Sequence, residues 1–335
     1  MTSRSFTAAV LALSFAWPLS AQASNDNFRL SNMLEYETTD DQRLYLFRTF
    51  SRELGMTLGY KYVVGSDTTG LYGLDISLES NNVYVDTDRS CPDDTELGVD
   101  QDGAPLISTC YEDRNSNDYE WDPWRVMDYD HRLSGGKLYP VPGIRVRKGL
   151  PLSLEVGTAM YILPFSSQAA LQGFGRWAIH EGFDRGSLRA IPDAVLTASV
   201  TRLVGSPEFD LTVLDWGMTF GYTFPVGGVA ASHIGDFSIF GGFGRSIITA
   251  VPDEQLPEQL QCLSGWTGRR ANAVEWEQYD SSGCEGRAVF YDPDFRPFKG
   301  NFGIRIHNGP FQVAWAMELA RLGLPSMSFK MGLLF

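Results

Sequence analysis

The sequence predicts an all-β chain: an antiparallel, up-and-down transmembrane β-barrel of about ten strands, preceded by one short N-terminal helix. Three observations predict it. Beyond Gly70 the chain alternates apolar and polar residues with a period of two, punctuated by Gly, Pro and Asn. After residue 23 no apolar run approaches the roughly 20 residues that a spanning helix needs, which excludes helical spans. The chain closes on SMSFKMGLLF, where Phe335, Leu333, Met331, Phe329 and Met327 share one face and Lys330 and Ser328 the other.

Residues 1–23 read as a cleavable export signal. Arg4 precedes an apolar run from Phe6 to Leu19, and Ala21-Gln22-Ala23 is a small-x-small cleavage site. A membrane anchor is the rival reading, but about 14 apolar residues are too few for it. Cleavage before Ser24 takes the basic residues from 27 to 26 against 41 acidic ones, so the net charge moves from −14 to −15. Such a surface repels nucleic acid, which is set aside as a partner.

Residues 24–69 form a polar lead with one amphipathic helix. Leu44, Phe47, Phe50 and Leu54 recur at helical spacing, Thr39 or Asp40 can cap the start, and Gly55 can end it. The expected helix of about 14 residues rests at the periplasmic mouth or the interface, with Phe47 and Phe50 against barrel or lipid. Entry into the lumen as a plug is the alternative set aside, because a ten-stranded bore lined by long side chains is too narrow.

Residues 70–335 supply the strands in order. Tyr72, Leu74, Ile76 and Leu78 oppose Asp75, Ser77 and Glu79, and Ile144 and Val146 oppose Arg145 and Arg147. Leu152, Leu154, Val156, Met160 and Ile162 oppose Ser153, Glu155, Gly157 and Tyr161. Trp177 and Ile179 oppose Arg176, Ala178 and His180, and a less regular strand covers 193–204. Leu214, Trp216, Met218, Phe220, Tyr222 and Phe224 then alternate with Asp215, Gly217, Thr219, Gly221 and Thr223. GDFSIFGGFGRSI follows, and after it Phe298, Phe302, Ile304 and Ile306 oppose Lys299, Asn301 and Arg305. Phe311, Val313, Trp315, Met317 and Leu319 oppose Gln312 and Glu318 before the closing strand.

Segments of about 9–11 residues suit tilted membrane strands, and an even count puts both chain ends on one side of the membrane. Boundary freedom leaves roughly eight to twelve strands open. If the last strand descends into the periplasm, the two long loops, 84–136 and 250–296, face outward and the short links lie opposite. Those loops hold Cys91 with Cys110 and Cys262 with Cys284. An even count in an exported chain suggests disulfides, and pairing within each loop is the expectation among three connectivities. A soluble β-sandwich would alternate too, with its charges on a solvated face; the export signal, the terminal Phe and the aromatic strand ends favour the barrel.

The terminal SFKMGLLF resembles the C-terminal sorting signal of Gram-negative outer-membrane β-barrel proteins, which their assembly machinery reads. That resemblance implies a location in the outer membrane, contact with its lipid and lipopolysaccharide, and a monomeric barrel. LFRTFSRELG, RKGLPLSLEVG and WAIHEGF are more loosely similar to an uncharacterised group of exported barrel proteins, a likeness that implies no activity.

The polar faces gather Asp75, Glu79, Glu155, Asp215 and Glu318 with Arg145, Arg147, Arg176, Lys299, Arg305 and Lys330. Near-cancelling charges read as an ion-pair network filling a narrow lumen, since buried charges must be partnered; a charge-lined pore is the functional alternative. His180 lies beside Glu181 but alternation turns the two apart, and His307 sits in IHNGP, a turn by composition. Between Asp86 and Arg132 stand 14 acids and 4 bases, a net of −10. Asp113, Asn115 and Asn117 are spaced like the start of a calcium loop, although Asp118 stands where Gly belongs and Trp124 where the bidentate Glu belongs, so calcium is the only cofactor suggested. Asp128, Asp130 and His131 resemble the Asp–His pair that activates water in the omptin proteases of the outer membrane, whose other acidic signature is missing. The expected role is surface binding or restricted passage of a small solute without catalysis, with an omptin-like hydrolase as the alternative.

Overall fold

The computed structural model describes residues 40–85, 138–164, 166–180, 191–206, 209–225, 235–252, 290–291, 297–320 and 325–335. Helix α1 (Asp40–Leu58) precedes β1 (Leu74–Tyr84), β2 (Leu138–Leu150), β3 (Leu154–Ile162), β4 (Ala169–His180), β5 (Asp193–Val204) and β6 (Phe209–Pro225). Then come β7 (Asp236–Pro252), a two-residue β8 (Phe290–Tyr291), β9 (Phe298–Asn308), β10 (Phe311–Ala320) and β11 (Ser326–Leu334). Every pairing is antiparallel, and β1 pairs with β11 while β6 pairs with β7 and β7 with β9. The ten long strands therefore close into a barrel, with β8 a short addition on β7.

Alternation along each strand decides which residues go inside. Asp75, Ser77, Glu79 and Asn81 of β1 are buried, while Ile76 is exposed between them. Around the outer wall stand Trp177, Val313, Phe302 and Phe329, each about half exposed. The long connections, Tyr84 to Leu138 and Pro252 to Phe298, leave from one end of the barrel. The opposite end carries Leu150 to Leu154, Asn308 to Phe311 and the chain terminus, where the Leu74 amide donates to the Phe335 carbonyl at 2.9 Å. Leu152 belongs to a turn and not to β3: it and Ser153 take φ of 63° and 56° and reverse the chain between β2 and β3. His307 likewise falls within β9, and the turn is made by Gly309 with φ 58°.

The helix differs from expectation in length and in place. It runs through Gly55 to Leu58, and its last turn closes with the Gly59 amide on the Gly55 carbonyl at 2.9 Å. Gly55 serves packing and not termination, because a Cβ there would lie 2.5 Å from Ile248 Cγ2 on the inner wall. Phe50, Leu54, Met56 and Leu58 are buried in an apolar collar with Val83, Tyr139, Tyr161, Leu203, Leu211 and Ile248, all inward residues at the long-loop end. Phe47 packs against the same cluster. The helix thus enters the lumen from the long-loop end, and residues 59–69 continue as a strap through the bore to β1.

The bore admits this strap because its wall is notched. A Cβ at Gly217 or Gly244 would meet Tyr62 Oη at 2.2 or 2.3 Å, and one at Gly221 would meet Ser66 Oγ at 2.3 Å. Long wall side chains do not fill that space; the strap does.

Gly55→Leu is expected to weaken helix docking by about 1–3 kcal/mol through overpacking. Limited trypsinolysis checks it: cleavage after Arg52 speeds up, and Ile248→Ala in the same chain slows it again.

Candidate functional site: the filled lumen

The inner wall and the strap answer each other's charges in three groups. Nearest the collar, Lys61 Nζ donates to the Met56 carbonyl at 2.9 Å, completing the C-terminus of α1, and to Glu318 Oε1 at 3.0 Å. Glu318 lies 3.9 Å from Lys299, whose Nζ donates to Asp215 Oδ1 at 2.8 Å. Asp215 also accepts from the Tyr60 amide at 2.9 Å and from the Ser246 hydroxyl. A wall carboxylate therefore satisfies a strap amide that no ladder reaches.

In the second group Arg145 Nε lies 2.9 Å from Glu79 Oε1. Tyr161 accepts from Arg145 at 2.8 Å and donates to Glu79 Oε2 at 3.0 Å. The Arg145 guanidinium stands 4.8 Å from the centre of the Tyr60 ring and 4.9 Å from that of Phe174, and those two rings meet edge-on at 5.4 Å. Stacking spreads the buried charge over two aromatic faces.

The third group ties the end of the strap. Asp75 holds both Arg147 and Lys330 at 2.5 Å, and Arg147 reaches Glu155 at 3.3 Å. Arg176 pairs with Glu155 at 2.5 Å and donates to the strap carbonyls of Gly65 and, at 3.2 Å, Asp67, while Glu155 accepts from the Thr69 amide. Arg305 bonds Asp67 and Ser238 and lies 3.5 Å from Asp236, which meets His307 Nδ1 at 3.1 Å.

All eleven inner charges named from the sequence are buried here, from Asp75 at 0 % exposure to Arg305 and Glu318 at 5 %. Sequence reasoning missed the strap's share: Tyr60, Lys61, Tyr62, Asp67 and Thr69. A signal existed, since YKYVV alternates Tyr60, Tyr62 and Val64 with Lys61 and Val63, but without a neighbouring strand it read as a linker. Asp236 and His307 were likewise not joined. Cys91, Cys110, Cys262, Cys284, the Asp113, Asn115 and Asn117 set, and Asp128, Asp130 and His131 lie outside the described residues. Among the described residues no group of three or more His, Cys, Asp or Glu could hold a metal ion, and no helix is long and apolar enough to cross a membrane. Neither the protein-family models nor the curated proteins yield a match to this chain.

What the arrangement does chemically is hold charge still. Asp75→Asn leaves Arg147 and Lys330 short of their shared partner and is expected to cost about 3–5 kcal/mol, as breaking a buried pair does. The urea midpoint of the folded protein checks the loss, and Lys330→Met added to Asp75→Asn should recover part of it.

Proposed function

We propose that this chain is an outer-membrane β-barrel that is closed at rest by its own N-terminal strap, acting in surface binding or in restricted passage of a small solute without catalysis. The observation that carries the reading is the inversion of the barrel: paired charges inside, apolar and aromatic side chains outside around the circumference. A closed barrel leaves no sheet edge unpaired, and an apolar outer belt suits hydrocarbon as solvent. In water the same belt would be an exposed patch far larger than soluble monomers carry.

The long loops and the C-terminal signal support an orientation with the loops outside and Phe335 in the periplasm. In that orientation the binding surface is the loop-bearing mouth, where α1 enters. Passage requires the strap to leave, because it occupies the notched bore and carries six of the polar contacts described above, at Tyr60, Lys61, Gly65, Asp67 and Thr69.

In planar bilayers the intact protein is expected to show little or no steady conductance, whereas deletion of residues 40–69 opens a steady, charge-lined conductance; a large open channel from the intact chain would contradict the closed state. Unboiled protein in detergent gels should migrate differently from boiled protein, as a closed barrel does.

A further inference from the structure

The outer wall carries one feature that a uniform lipid belt does not need: an apolar groove of 710 Å³ running across the strands from β3 to β9. Its floor is made by missing side chains. Outward Gly175 and Ala198 are register neighbours, and a Cβ on Gly175 would meet nothing nearer than 3.9 Å. Trp177, Trp216 and Phe243 stand as its walls. Five inter-strand steps make it roughly 24 Å long, and the volume lies within the roughly 300–1,000 Å³ of ligand pockets.

Arg245 borders the groove at one end. It is exposed on the outer face, opposite Trp216 on β6 and Phe298 on β9, and Phe298 is the first residue of its strand at the long-loop end. Arg202, another exposed cation on this wall, is paired with Asp210 at 2.8 Å; Arg245 has no partner among the described residues. The groove's other end reaches Leu150 and Leu154, which flank the β2–β3 turn at the opposite rim. A cation without a partner among the described residues, on an apolar wall level with the start of β9, with an apolar channel leading away toward the opposite rim, has the charge and shape of an anionic acyl lipid.

We propose that the groove binds one acyl chain of a phosphate-headed anionic membrane lipid, from the leaflet on the long-loop side, with its phosphate on Arg245. This rests on the membrane reading above. The guanidinium supplies a charge-assisted, two-pronged contact to the phosphate, and the chain covers Gly175 and Ala198 between the tryptophans.

Native mass spectrometry of the folded full-length protein, released from micelles doped with dilute phosphatidylglycerol or phosphatidylcholine of equal chain length, tests it. One phosphatidylglycerol per barrel should be retained with about a tenfold preference over phosphatidylcholine, the scale of one hydrogen bond to a charged group. Arg245→Gln should abolish that preference, Arg245→Lys should keep part of it, and Gly175→Leu should lose both lipids by filling the floor. Equal retention of the two lipids by the wild type, or an undiminished preference in Arg245→Gln, overturns the site. Failure of the membrane reading looks different: the chain would stay monomeric in water without detergent and carry neither lipid.

Discussion

The structure depends on one constraint: every charge on the inner wall must find its partner inside a closed cylinder. Alternation delivers Asp75, Arg145, Arg147, Glu155, Arg176, Lys299, Arg305 and Lys330 to a space with no exit through the apolar outer wall. Bare, that set would need water or each other. The chain resolves the demand by sending its own residues 59–69 through the middle, so that strap amides, carbonyls, Lys61 and Asp67 complete the network. Glycines at 217, 221 and 244 are the complement of that choice, since each lies where a side chain would collide with the strap.

Filling is therefore not uniform along the bore. The long-loop end is an apolar collar around α1, where Leu54 and Ile248 pack as in an ordinary core, while the remainder is ionic and aromatic. The apolar part orders the helix, and the ionic part fixes the strap's register, because Lys61 pairs with Glu318 on the wall and Asp67 with Arg305. Holding both inside the barrel fills the lumen with the chain's own residues.

Much of the architecture was legible in the sequence. Period-two alternation identified the ten long strands and, for all but 193–204 and the GDFSIFGGFGRSI strand, the side that faces inward, and segments such as 212–224 left little freedom, because Trp216 and Asp215 cannot exchange faces without inverting the strand. The failures share a cause. Gly55 reads as a helix end and Leu152 as a strand residue when only neighbours in sequence are considered; contact with Ile248 on the wall reversed the first, and the tight positive-φ turn at Leu152 and Ser153 reversed the second. The plug was set aside on the length of the wall side chains, yet Gly217 and Gly221 were already on the inward face of their strand; what was missing was that Gly244 from β7 notches the wall beside Gly217. The strap itself carries no ladder, so its alternation had no second strand to give it meaning. Of the candidate site, the wall charges could be found by face, but their pairing could not, since Asp75 and Lys330 are brought together only by closure of the first strand on the last.

The most direct test of a lipid-facing, internally filled barrel is spin-label accessibility along β10 in bilayers, one nitroxide at a time from Phe311 to Leu319. Labels at 311, 313, 317 and 319 should be relaxed by lipid-soluble oxygen, whereas labels at 314 and 316 should be shielded both from oxygen and from a water-soluble nickel complex. Nickel access at the inward positions would mean an open, water-filled bore, and nickel access at the outward ones would mean that the greasy face meets water.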